Sequence, residues 1–119
     1  MTLKECYDAF GGDYAEVTAR LRNEERVIKF IGKFLKDESF ANLEKALKEN
    51  NLPEAFRAAH TLKGICGNLS FTRLHRSSHG LTELLRGAKF SAEIPLLFDV
   101  VKKDYELAKE NIQNLLRSM

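Results

Sequence analysis

A chain of 119 residues organises one hydrophobic core and has no room for a multidomain enzyme, so residues 1–119 are read as a single domain. With 44% apolar and 30% charged residues it can build both a core and a solvating surface, which excludes a disordered tail. A net charge of +2 without a clustered basic stripe argues against nucleic acid as a partner, and no apolar run approaches the roughly 18 residues of a membrane span.

Apolar residues recur at helical spacing throughout, and no strictly alternating run is long enough for a strand, so the expected class is all-α. Thr2-x-x-Glu5 predicts a short first helix that Gly11-Gly12 stops, and Asp13-x-x-Glu16 a second running to about Arg22. Asn23 is the expected N-cap of a third helix that buries Val27, Ile28, Phe30, Ile31, Phe34 and Leu35. Ser39 is the expected N-cap of a fourth, with Phe40, Leu43, Ala46 and Leu47 inward. After the turn at Asn50-Asn51, Asn51-x-x-Glu54 opens a helix through His60 to about Leu69, with Pro53 tolerated in its first turn. Thr72 is expected to cap the next helix, whose inward face is Leu74, Ser78, Leu81, Leu84 and Leu85 and whose end is Gly87. Ser91 and Pro95 mark the start of a long last helix carrying Ile94, Leu97, Phe98, Val101, Tyr105, Ala108, Ile112 and Leu115. Four longer helices joined by short loops predict an up-down antiparallel four-helix bundle, with the shorter N-terminal helices lying across it. The eight phenylalanines follow helical spacing and read as core.

Cys6 and Cys66 lie far apart without a CxxC pair, and the N-terminus has no apolar h-region, so a cytoplasmic protein with reduced thiols is expected. Cys66 reads as a small apolar core residue. His75 and His79, at i, i+4 on one helix, have the spacing of a zinc pair but no third ligand beyond Glu83, so they read as surface histidines and no metal is expected.

One segment carries chemistry. On a helical wheel at about 100° per residue, Leu52, Ala55, Phe56, Ala59, Leu62, Cys66 and Leu69 share a core-facing arc, while His60 lies roughly 120° from its centre. Lys63, Gly64 and Gly67 are its neighbours on that flank. Each glycine inside a helix costs about 1 kcal/mol relative to alanine, so the bare backbone points to a need for space beside the imidazole. Lys63 supplies a cation able to reach phosphoryl oxygens, and an exposed neutral imidazole is a nucleophile at neutral pH. The constellation suits carriage of a phosphoryl group on nitrogen. Arg57 and Arg73 flank this helix and are candidates for drawing in an acidic partner, although such charges more often only solvate a surface.

His60-Thr61-Leu62-Lys63-Gly64, preceded by Ala58-Ala59 and followed by Asn68-Leu69, resembles the His-x-Leu-Lys-Gly signature of histidine-containing phosphotransfer (HPt) domains. The resemblance extends to Phe10-Gly11-Gly12-Asp13 and through Ala46-Leu47 to Ala55-Phe56-Arg57-Ala58-Ala59-His60, covering most of the chain at the level of helix order. It departs at Ser70, where the family often has a glycine closing the helix.

What the resemblance implies is a monomeric phosphorelay intermediate in two-component signalling and not an enzyme. His60 would accept a phosphoryl group from a receiver-domain aspartate and pass it to another receiver, with Lys63 steadying charge and Gly64 admitting the receiver's loops. A face around Phe56 and Ala59 would frame docking. No cofactor is implied, and the chain has no GxxxxGK[ST] loop for a nucleotide. The alternative is a helical adaptor that docks on receivers without transfer; retention of His60, Lys63 and Gly64 together speaks against it. A di-iron bundle would need Glu-x-x-His pairs that the chain lacks.

Overall fold

The computed structural model describes all 119 residues and contains seven helices and no strand. They are α1 (Leu3–Phe10), α2 (Tyr14–Leu21), α3 (Glu24–Phe34), α4 (Ser39–Lys48), α5 (Leu52–Asn68), α6 (Thr72–Leu85) and α7 (Glu93–Arg117). The all-α expectation holds.

Four of the expected caps form as local chemistry dictates. Thr2 Oγ1 accepts the Glu5 N–H at 3.1 Å while Glu5 Oε1 accepts the Thr2 N–H at 2.8 Å, a reciprocal capping box. Asp13, Asn23 and Asn51 each accept the N–H three residues on. Gly11 closes α1 in the left-handed conformation at φ 79°, which its missing Cβ permits.

Two cap expectations fail. Ser39 is itself the first residue of α4 and is buried, and its N–H is taken by Asp37 Oδ2 at 2.9 Å. Thr72 is likewise the first residue of α6, and the cap position belongs to Phe71, which has no side-chain acceptor. Phe71 is fully buried with its ring edge-on to Phe10 and Phe34, each 4.9 Å away between centroids, and to Tyr7 at 5.7 Å. Aromatic packing therefore sets the entry to α6.

The longer helices form a bundle. Phe56, near the start of α5, meets Arg86 just beyond the end of α6, and Gly67, near the end of α5, meets His75 near the start of α6, so the two run antiparallel. In α4, Phe40 stacks on Tyr105 of α7 at 4.1 Å and Glu44 pairs with Lys102 at 3.1 Å, while Leu47 lies beside Ile94 and Phe98; that pair is antiparallel too. The N-terminal helices lie against this frame, α1 and α3 on α7 and α2 beside both. The Tyr7 hydroxyl donates to the buried Leu69 carbonyl at 2.9 Å, tying α1 to the α5–α6 connection.

The phenylalanines divide. Phe10, Phe34, Phe40 and Phe71 are buried and Phe56 and Phe98 are partly so, but Phe30 is 37% and Phe90 79% exposed, contrary to the all-core expectation. Phe30 sits at the edge of the apolar arc of α3, and the centre of that arc is filled by Val27, Ile31 and Phe34.

Candidate functional site

Helix α5 buries Ala55, Ala59, Leu62 and Cys66, three of them small enough to let its neighbours approach closely, and turns Arg57, His60, Thr61, Gly64 and Asn68 outward. His60 stands on this outer face, with its ring tilted against that of Phe56 at 5.9 Å between centroids. A groove of about 550 Å³ runs past it, lined by Pro53, Phe56, Arg57, Thr61 and Arg86 among others. Ala59 is wholly buried and has no surface to offer a partner, contrary to expectation, whereas Phe56 is half-exposed.

The two helical glycines have different causes. A Cβ on Gly64, one turn beyond His60, would meet nothing within 4 Å. A Cβ on Gly67 would come within 3.3 Å of His75 Cδ2 and 3.5 Å of Nε2. A side chain at 67 would press on the His75 ring of α6, so packing favours a small residue there, while no packing demand explains Gly64.

Lys63 is half-buried and close enough to α6 for its charge to act on His75 and Glu83. Glu83 accepts from Arg86 at 2.7 Å, and this hydrogen bond holds its carboxyl below the ordinary range. The Arg86 guanidinium also lies 5.1 Å above the Phe56 ring, so a chain of contacts runs Glu83–Arg86–Phe56–His60. Arg86 escapes sequence reasoning. Its pair with Glu83 is a visible i, i+3 spacing, but its place over Phe56 exists only once α5 and α6 are docked.

The flanking candidates separate. Arg57 lines the groove, pairs with Glu54 at 2.7 Å and is 72% exposed. Arg73 does not join the site; its side chain lies over Gly11, with Nε only 2.9 Å from where a Cβ there would stand. His79 is exposed and His75 half-buried, their rings 6.4 Å apart, and no three metal-ligating side chains converge. Both thiols are buried, and burial pushes Cys6 up to about 11 and Cys66 higher still.

Ser70, where the sequence departs from the glycine expected there, adopts the left-handed conformation at φ 58°. Arg20 holds the turn by donating to the Gly67 and Asn68 carbonyls and to Ser70 Oγ, and Ser70 Oγ donates to Glu16 Oε1 at 2.7 Å. Hydrogen bonds from α2 thus offset the backbone strain that glycine would avoid.

Residues 36–117, spanning α4 to α7, match the Hpt domain family. The chain belongs to that family. Neither the curated proteins nor the solved structures contain a match. Hpt domains are phosphocarriers of two-component phosphorelays and interact with receiver domains. In this Hpt domain α1, α2 and α3 all precede the matched region, and no helix is long and apolar enough to cross a membrane.

One pH effect follows from the packing of this Hpt domain. Burial, with His79 and Lys63 adding to it against the weaker pull of Glu16, pushes His75 below its ordinary 6.5. The unfolded chain then binds more protons than the folded one as pH falls through and below 6.5, so stability declines over that window. Urea unfolding at stepped pH is expected to show this decline, and His75→Gln to flatten it.

Proposed function

We propose that this chain is a phosphocarrier in which His60 takes a phosphoryl group from the aspartyl phosphate of one receiver domain and hands it to the aspartate of another. The observation that carries the reading is His60 on the outward face of α5 beside open space at Gly64, inside the segment that matches the Hpt family.

In the forward step the lone pair on Nε2 of the neutral imidazole attacks phosphorus in line. The N–P bond forms as the P–O bond to the receiver's aspartate breaks, and the carboxylate leaves with the electron pair. The return step reverses these bonds on a second receiver. Phe56 orients the ring from one side, and the absent side chain at Gly64 admits the receiver's loops from the other. Lys63 and Arg86 supply positive charge near the transferring group. We further propose that the 119 residues act as one monomeric domain, in the cytoplasm, without nucleotide or metal of its own.

The test is incubation with phosphorylated receiver domains, followed by intact mass. Gain of one acid-labile phosphoryl group supports the carrier; binding without gain would replace it with the adaptor reading. Lys63→Ala is expected to slow transfer about 10- to 100-fold without eliminating it, because it removes one of several charges that stabilise the transition state. Quenched-flow transfer kinetics measure this, and an unchanged rate returns Lys63 to ordinary surface solvation.

A further inference from the structure

A second cleft, of about 440 Å³, opens on the other flank of α5 from α6. Its floor and walls are Leu21, Phe30, Phe34, Ile65 and Leu69, so it is formed where α2 and α3 meet the second half of α5. Phe30 is the exposed apolar ring that the α3 pattern would bury; it stands at the rim, and Lys33 Nζ lies 5.2 Å from its centroid. Lys33 has no carboxylate within ion-pair distance, and the rim acid Asp37 already accepts the Ser39 N–H. Arg20, the other rim cation, is engaged in capping α5. The cleft is apolar inside and offers one uncommitted cation at its edge.

Its position relates it to the transfer face. Ile65 and Asn68 lie about 7 and 12 Å beyond His60 along the helix axis, at a rise of about 1.5 Å per residue. A protein docked on His60 through a patch of about 800 Å² per partner reaches about 16 Å from its centre, far enough to arrive at the edge of this cleft that the outward-facing Asn68 forms. Three of its five apolar lining residues, Leu21, Phe30 and Phe34, precede the match to the Hpt family and belong to this chain's N-terminal helices α2 and α3.

Resting on the phosphocarrier reading, we infer that the Phe30 cleft is a selectivity pocket for the receiver partner, taking an apolar side chain flanked by a carboxylate that pairs with Lys33. The apolar anchor supplies affinity and the Lys33 pair discriminates among receivers. A partner without that acidic neighbour leaves Lys33 unpaired beside the interface and is disfavoured.

The experiment is calorimetric titration of a panel of receiver domains into wild type, Phe30→Ser, Lys33→Glu and His60→Gln, with sedimentation of each variant and intact-mass assay of transfer. The expected result is that Phe30→Ser and Lys33→Glu bind the tightest receiver about tenfold or more weakly with the helical spectrum unchanged, while His60→Gln serves as the transfer control and gains no phosphoryl group. Lys33 lies on the surface, so that variant tests the pocket even if Phe30→Ser disturbs α3. Wild-type affinity in both variants overturns the inference and leaves the phosphocarrier reading standing. Binding lost in both variants, with no phosphoryl gain in wild type, supports the pocket and sinks the carrier. A wild-type dimer that Phe30→Ser dissociates, with receiver affinity unchanged, assigns the cleft to a second copy and overturns the inference, as does a panel in which no receiver binds.

Discussion

His60→Gln is expected to keep the fold and to lose phosphoryl acceptance. The side chain is exposed and touches one neighbouring ring, that of Phe56, so exchanging it for a polar side chain of similar length removes little packing. What it removes is the lone pair on an imidazole nitrogen, since an amide nitrogen delocalises its pair into the carbonyl and is not a nucleophile. The unfolding midpoint should match wild type, and intact mass after incubation with phosphorylated receivers should show no added phosphoryl group. His75→Gln and His79→Gln should gain it as wild type does, because His75 is packed against Gly67 and neither histidine adjoins the open space at Gly64. A phosphoryl group on the His60→Gln protein would move the acceptor elsewhere.

Gly64→Leu separates docking from chemistry. A Cβ at 64 meets no atom within 4 Å and the position is exposed, so the fold is expected to accept a larger side chain, and the helix gains about 1 kcal/mol on replacing a mid-helix glycine by a better helix former. The same side chain projects into the approach to His60, and transfer from receivers is expected to fall by about a hundredfold or more, since misplacement by about 1 Å costs that much in an in-line reaction. Phosphoramidate offers the control. This small donor transfers its phosphoryl group to Nε2 with ammonia leaving, and needs no protein docking, so Gly64→Leu should react with it at the wild-type rate. Transfer from receivers at the wild-type rate would show that the space at Gly64 is not used for access.

Which features are legible in the amino-acid sequence follows from the range of the forces involved. The caps at Thr2, Asp13, Asn23 and Asn51 satisfy orphan N–H groups three residues away, a purely local transaction. Ser39 and Thr72 have equally good capping chemistry, but Asp37 captures the first N–H in one case and burial of Phe71 among Tyr7, Phe10 and Phe34 decides the other. The departure at Ser70 reads as a local turn change, yet its left-handed backbone is held by Arg20 and Glu16, some fifty residues upstream.

Helical periodicity alone gives the all-helical class and the outward placement of His60 and Gly64, because residues on one helix share a 3.6-residue period that needs no partner to be read; Lys63, expected on the same flank, is half-buried beside α6. Docking of the helices is what sets Gly67 against His75 while Gly64 stays open, lays Arg86 over Phe56, turns Arg73 over Gly11 instead of toward the site, and leaves Phe30 walling a cleft instead of entering the core. Each of these depends on how separate helices dock, and that is set by shape complementarity across residues distant in the chain, which no local pattern encodes.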